Sequence, residues 1–129
     1  MWPFSKKLDK NRIEMRLHYW GGADEPAWTF KLVVGGHEVL ESVGLVHSQD
    51  FRVSNIVTVP DYRRQGYGTL AIGTLIAAAR ARGCSSFTLE NVSPKNVEAV
   101  NLYRRLGAVV LPPAQVGGHS DHRITLGAA

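Results

Sequence analysis

Between Phe51 and Arg82 the hydrophobic period changes from two to 3.6 across one short turn, and that turn is rich in both charge and glycine. FRVSNIVTV (51–59) reads as a strand. From Tyr67 to Arg82, Leu70, Leu75, Ile76 and Ala79 recur at helical spacing. Arg80 and Arg82 suit the negative end of that helix, and Gly83 supplies its stop. Gly73 within it predicts close packing against a neighbour. SSFTLENV (85–92) is a further strand, and a strand–helix–strand unit closes right-handed with its strands parallel. The junction itself, YRRQGYGTL (62–70), holds two arginines and two glycines where an ordinary connection needs one glycine and no charge cluster.

The chain before this unit reads as strands. RIEMRLHYW (12–20) alternates, with Ile13, Met15, Leu17 and Tyr19 on one face. GGADEP then breaks the pattern, AWTFKLVV (27–34) follows, and Gly35-Gly36 signals a hairpin into 38–47. A polar SQD turn leads to the strand at Phe51. After the unit, 94–106 predicts a second helix ending at Gly107. Two short strands, 108–111 and 123–126, flank a glycine-rich loop. The expected fold is an α/β mixed sheet with helices on its faces: antiparallel N-terminal strands, then strand–helix–strand–helix and two short C-terminal strands. With 129 residues and no repeat or linker, one domain over 1–129 is expected.

A helix N-terminus exposes free N–H groups and partial positive charge, and so receives an anion. Gly66 and Gly68 remove side chains that would block close backbone approach, while Arg63, Arg64 and Gln65 add charge and donors. A plain turn with solvated arginines has the same composition. No G-x-x-x-x-G-K-[ST] phosphate loop is present, and four antiparallel-looking strands before the turn argue against a dinucleotide fold. The net charge of +4 fits an anionic cofactor, an acidic partner or a nucleic acid. Arginines clustered at helix ends, without interleaved aromatics, disfavour nucleic acid. The single cysteine, Cys84, forbids an intramolecular disulfide, excludes a cysteine-rich metal site and fits a reducing, cytoplasmic setting. No stretch approaches the roughly 20 apolar residues of a membrane span. MWPFSKK at the start reads as a frayed or strand-packing terminus, not a signal peptide.

Two linked segments resemble the GNAT N-acetyltransferases: VTVPDYRRQGYG (57–68), similar to their R/Q-x-x-G-x-G/A acyl-CoA signature, and NVEAVNLYRRLGA (96–108). Arg63, Gly66 and Gly68 fill the fixed places, and the likeness runs from Ile56 to Ala108. It implies a compact GNAT-like acyltransferase with acetyl-CoA as co-substrate, no metal, and direct attack of an amine on the thioester. By that resemblance the backbone of Val57, Thr58 and Val59 binds the pantetheine arm. The N–H groups of Arg64, Gln65, Gly66, Tyr67, Gly68 and Thr69 hold the pyrophosphate, and Asn96 contacts the cofactor arm.

The same resemblance makes Tyr103 the acid that protonates the departing thiolate, although its place beside Val100 and Leu106 equally suits packing. Glu90 matches the strand-end glutamate that some members use as base; as a residue it reads equally as a solvated carboxylate. The stretch from Glu90 to Asn96 is one residue longer than in the nearest patterns, enough to re-aim either residue. Ala108 replaces a usual phenylalanine. His119 and His122 in GGHSDH read as solvated loop residues, and Cys84 as buried and inert.

The acceptor is read as a primary amine, open to being on a protein or peptide. The family's usual helix pair between the first two strands is replaced here by GGADEP, and residues 1–11 add at most a short piece. The acceptor side is expected to be open, or completed by a second subunit in a homodimer. The alternative function is a non-catalytic acyl-CoA-binding regulatory protein on the same fold.

Overall fold

A computed structural model describes residues 12–113 and 115–127. The strands are β1 (Ile13–Gly21), β2 (Pro26–Val34), β3 (His37–His47), β4 (Asp50–Thr58), β5 (Ser86–Val92), β6 (Val109–Val110) and β7 (Ser120–Thr125). The helices are α1 (Tyr67–Ala81) and α2 (Val97–Arg105), with one 3₁₀ turn at Pro60–Tyr62. All the strands form one sheet in the order β1-β2-β3-β4-β5-β7-β6. Only β4 and β5 run parallel; the other pairs are antiparallel. The expected mixed α/β sheet is therefore the observed one. The N-terminal piece over residues 1–11 lies outside the described residues, and no helix among those described is long and apolar enough to cross a membrane.

Three hairpins build the first half. Gly35 and Gly36 both have positive φ (+58° and +83°), the geometry of a type I′ turn that continues the strand twist. Ser48 and Gln49 adopt similar angles without glycine, at φ +50° and +63°. The third residue of the expected SQD turn, Asp50, instead opens β4 and is buried. Between β1 and β2, Gly21 pairs with Pro26, so the connection is only residues 22–25.

Both helices pack on one face, where helices on each face were expected. Thr74 of α1 donates to the Met15 sulfur at 3.1 Å, and the Arg82 guanidinium lies 4.5 Å from the centre of the Tyr19 ring. Met15 and Tyr19 oppose Leu32 and Trp28, so α1 covers the face bearing those residues. A stack of Trp28, Phe51 and Phe87, with centroids 4.9 and 5.7 Å apart, runs through this layer. Tyr103 of α2 meets His122, the strand partner of Leu89, on the same face. The physical reason is handedness: β4 to β5 and β5 to β6 are parallel crossovers moving the same way across the sheet, so the same hand puts both helices on one side.

The buried side of α1 is Tyr67, Ala71, Ile72, Leu75 and Ala79, rotated from the expected stripe, with Leu70 at its exposed edge. Gly73 is exposed, and a Cβ there would meet nothing within 4 Å, so the expected close packing at Gly73 is absent. The tight glycine is Gly44 of β3, where a Cβ would lie 1.9 Å from the Arg52 carbonyl oxygen and 2.5 Å from Trp28.

Candidate functional site

The β3–β4 register shifts beside Gly44: Val43 pairs with Asn55 and Gly44 with Val53, which leaves Ser54 as a bulge. Pairing between β4 and β5 ends at Val53–Leu89. Beyond that row the two parallel strands separate, and the backbone groups of 54–58 that face β5 have no strand to bond. A cleft of ≈ 920 Å³ opens there, lined by Ile56, Val57, Thr58, the 63–69 turn and α2. A recess of ≈ 270 Å³ adjoins it between β4 and β5, lined by Ser54, Asn55, Glu90 and Asn91 among others. Tyr103, Asn96, Ala99 and Ile56 line both.

The two helix starts are built differently. Asn96 caps α2 by accepting from the Ala99 N–H at 3.3 Å, and Glu98 adds negative charge to its first turn. α1 begins at Gly66 with no side-chain cap and no acidic residue in its first turn. Its first backbone bond runs from Leu70 N–H to Gly66 C=O at 3.1 Å, so the N–H groups of Tyr67, Gly68 and Thr69 precede the ladder. Gly66 sits at φ +84°, in left-handed space. Gly68 has no such angle, and a Cβ there would meet no atom within 4 Å. Nothing among the described residues requires glycine at 68. Arg63 and Arg64 stand at the same cleft, and Arg64 reaches Glu98 of α2 at 3.5 Å with both side chains exposed.

Of the predicted cofactor residues, the structure brings Val57, Thr58, Arg63, Arg64, Gly66, Gly68, Thr69 and Asn96 to the cleft. Val59 is elsewhere: its N–H donates to Val39 and its carbonyl accepts from Tyr62, each at 2.9 Å. Gln65 is exposed and reaches back to the Asp61 carbonyl at 3.4 Å. Tyr67 buries its ring, and its hydroxyl has no hydrogen-bond partner among the described residues, so its backbone is what it offers at the helix start. Ile56 lines the cleft and escaped the sequence reading.

Tyr103 is 6 % exposed. Burial pushes its phenol pKa up, so the hydroxyl keeps its proton throughout the neutral range. Its ring lies 5.7 Å from that of His122 at 75°, an edge-to-face pair. The expectation that His122 is a solvated loop residue is wrong: β7 begins at Ser120, and His122 is 3 % exposed on the helix-covered face. Burial lowers its imidazole pKa, with Asp121 opposing and Arg104 reinforcing the shift. His119 remains exposed. Cys84 is buried, and desolvation raises its thiol pKa, the opposite of an activated nucleophile. No cluster of three metal-binding side chains occurs among the described residues.

Glu90 projects from the polar face of β5 and bonds through Oε2 to Arg52 Nε. The extra residue after it is absorbed locally. Asn91 turns left-handed at φ +57°, and the β5–β7 register shifts between Leu89 and Val92. Glu90 stays on its face, and Asn96 still caps α2.

The sequence matches the profile of the acetyltransferase (GNAT) family over residues 2–108. It is 45% identical over 56 residues to the Mus musculus thialysine N-epsilon-acetyltransferase, covering 43% of this chain and 32% of that protein. The chain spans less than half the length of the curated relatives it matches. Among solved structures it is similar to the Escherichia coli ribosomal-protein-S18-alanine N-acetyltransferase, with a TM-score of 0.70 and 25% identity over 84% of this chain and 74% of that one. It also shares the fold of a Bacillus subtilis acetyltransferase in complex with CoA, with a TM-score of 0.68 and 12% identity over 88% and 99% of the two chains.

Proposed function

The chain belongs to the GNAT acetyltransferase family, and on that premise we propose that it transfers an acetyl group from acetyl-CoA to a primary amine by direct attack. The observation that carries this reading is the uncapped start of α1. It presents free N–H groups, two glycines and two arginines to the large cleft, while the start of α2 is closed by its own asparagine. A pyrophosphate at residues 64–69 would satisfy those donors. The pantetheine arm would then run along the β5-facing edge of β4 at Val57 and Thr58 toward the junction of cleft and recess.

The chemistry follows from the groups at that junction. An arriving ammonium first gives up a proton, for which Glu90, directly or through a water, is the acceptor. The free amine nitrogen attacks the thioester carbonyl carbon, and the carbon–sulfur bond breaks as the tetrahedral intermediate collapses. The nitrogen loses its second proton to solvent, and the departing thiolate takes the proton of the Tyr103 hydroxyl. Tyr103 is then reprotonated from water. Per turnover, ammonium and acetyl-CoA become amide, CoA thiol and one released proton.

A protein or peptide acceptor is favoured by the shape of the acceptor side. The β1–β2 connection is four residues long, and the recess holding Glu90 is smaller than pockets that enclose a free small ligand, about 300–1,000 Å³. The relatives differ here: one is named for thialysine and another for the alanine of a ribosomal protein.

Calorimetry with acetyl-CoA, followed by a CoA-release assay against L-thialysine and an alanine-terminated peptide, tests the reading. Binding and release with the peptide preferred are expected. Binding without release from any amine would mean a non-catalytic acyl-CoA-binding protein. A monomer in light scattering that acetylates only the small amine would overturn the macromolecular acceptor and the completing second subunit.

A further inference from the structure

Arg52 had no role in the reading of the sequence, yet its guanidinium ties together three strands beside the point where β4 and β5 part. It stands opposite Thr88, one row before the last β4–β5 pair. Nη1 donates to Asp50 Oδ2 at 2.6 Å on β4, Nε to Glu90 Oε2 on β5, and Nη2 to Asp121 Oδ2 at 3.0 Å on β7. The other Asp121 oxygen accepts the N–H of Asn91 at 2.9 Å, the left-handed residue directly after Glu90. The side chain of Glu90 and the backbone that follows it are thus gripped by two partners that also grip each other.

Asp50 is the buried anchor of the group. It accepts from Ser86 and from Thr88, each at 2.8 Å, and lies 3.6 Å from Arg123. Three carboxylates (Asp50, Glu90, Asp121) against two guanidiniums (Arg52, Arg123) leave one net negative charge beside the recess. Glu90 Oε1 has no partner among the described residues.

We infer that Arg52 is a positioning residue: it fixes one oxygen of Glu90 so that the other faces the incoming amine. This rests on the reading of Glu90 as the proton acceptor. An unclamped glutamate has several rotamers of similar energy, and only a fraction of them would meet the nitrogen. A fork with five N–H donors can hold three carboxylates from three strands at once; a lysine ammonium is a point charge that cannot reproduce this arrangement.

The test is a double-mutant cycle of Arg52→Lys and Glu90→Gln, read as kcat/KM for an alanine-terminated peptide and for L-thialysine, with acetyl-CoA affinity and Tm measured alongside. Arg52→Lys keeps the charge on the polar face and guards against loss of fold. We expect it to lower kcat/KM about tenfold or more, with acetyl-CoA affinity within twofold of the parent. In the Glu90→Gln background the same change should have less than a twofold effect, because no base remains to be aimed. Equal losses in both backgrounds would show that Arg52 acts by holding the sheet, overturning the inference while leaving Glu90 as the base. If Glu90→Gln retained full activity, both the inference and the reading beneath it would fall.

Discussion

The two glycines of the turn are glycine for different reasons, and substituting them separates conformation from ligand binding. Gly66 sits at φ +84°, where an L side chain is opposed by its own backbone, so Gly66→Ala should lower stability by about 1–2 kcal/mol. Gly68 lies in the first turn of α1 with no positive φ and no atom within 4 Å of an added Cβ. There alanine should stabilise the helix, by at most about 1 kcal/mol since the site is terminal. At this chain length that is a rise in Tm of about 3–5 °C. Valine is a poorer helix former, so Gly68→Val should be close to neutral.

Binding should move the other way. Gly68 lines the cleft, and bulk on it would hold a phosphate off the N–H groups of the turn. Losing one charge-assisted hydrogen bond is worth about 1.5–3 kcal/mol, which is about 10- to 150-fold in Kd for acetyl-CoA. Thermal denaturation and calorimetry on Gly68→Ala and Gly68→Val therefore read two opposite signs from one position. Unchanged acetyl-CoA affinity in the valine variant would refute the pyrophosphate placement. A fall in Tm for the alanine variant would refute the claim that nothing among the described residues needs glycine there.

Tyr103→Phe keeps the edge-to-face contact with His122 and removes only the hydroxyl, so turnover should fall about 10²-fold with Tm nearly unchanged, measured by CoA release. Glu98→Gln frees Arg64 and removes a negative charge from the cleft mouth. Because the pair is exposed, acetyl-CoA affinity should rise by no more than about fivefold, and less in high salt. Gly44→Ala should lower stability by about 3 kcal/mol or more in denaturant titration, since its Cβ would sit on the Arg52 carbonyl and the Trp28 ring. His122 is buried with its pKa below the ordinary 6.5, so the unfolded chain binds its proton first as pH falls. Stability should hold above about pH 6.5 and decline below it, and Tm measured against pH should show a weaker decline in His122→Phe.

The central β–α–β unit was legible because a change of period, a charged glycine turn and a helix stop all fall in register with one another. What escaped the sequence shares a physical cause: it depends on pairing between distant strands. The bulge beside Gly44 separates β4 from β5, yet in the sequence it is only one glycine inside an alternating run. A strand glycine signals a bulge or a close approach, and that signal was there to be used. Asp50 and His122 looked like loop residues because their neighbours, Ser48-Gln49 and Gly117-Gly118, are turn formers. Their burial is set by β5, 36 residues or more from Asp50 in sequence. Val59 gives its N–H to Val39 of β3, a bond that no local pattern reveals, and its carbonyl accepts from Tyr62 of the 3₁₀ turn.

We trace the proposed openness of the acceptor side to the strands themselves. On the helix-covered face the rows of β4, β5 and β7 carry Phe51, Val53, Phe87, Leu89, His122 and Ile124, all buried. The alternate positions on the same strands are Asp50, Arg52, Thr88, Glu90, Asp121 and Arg123, bonded to one another across the sheet. On β2 and β3 that second face is mixed: Lys31 and Glu41 lie directly opposite each other and are exposed, while Leu45, opposite Ala27 and Arg52, is an exposed apolar residue. A pair of amphipathic helices packed here would have to desolvate those charges to reach the apolar Leu45 and Val57. The four-residue β1–β2 turn and these charges support the acceptor we propose, a substrate that brings its own bulk to the recess beside Glu90.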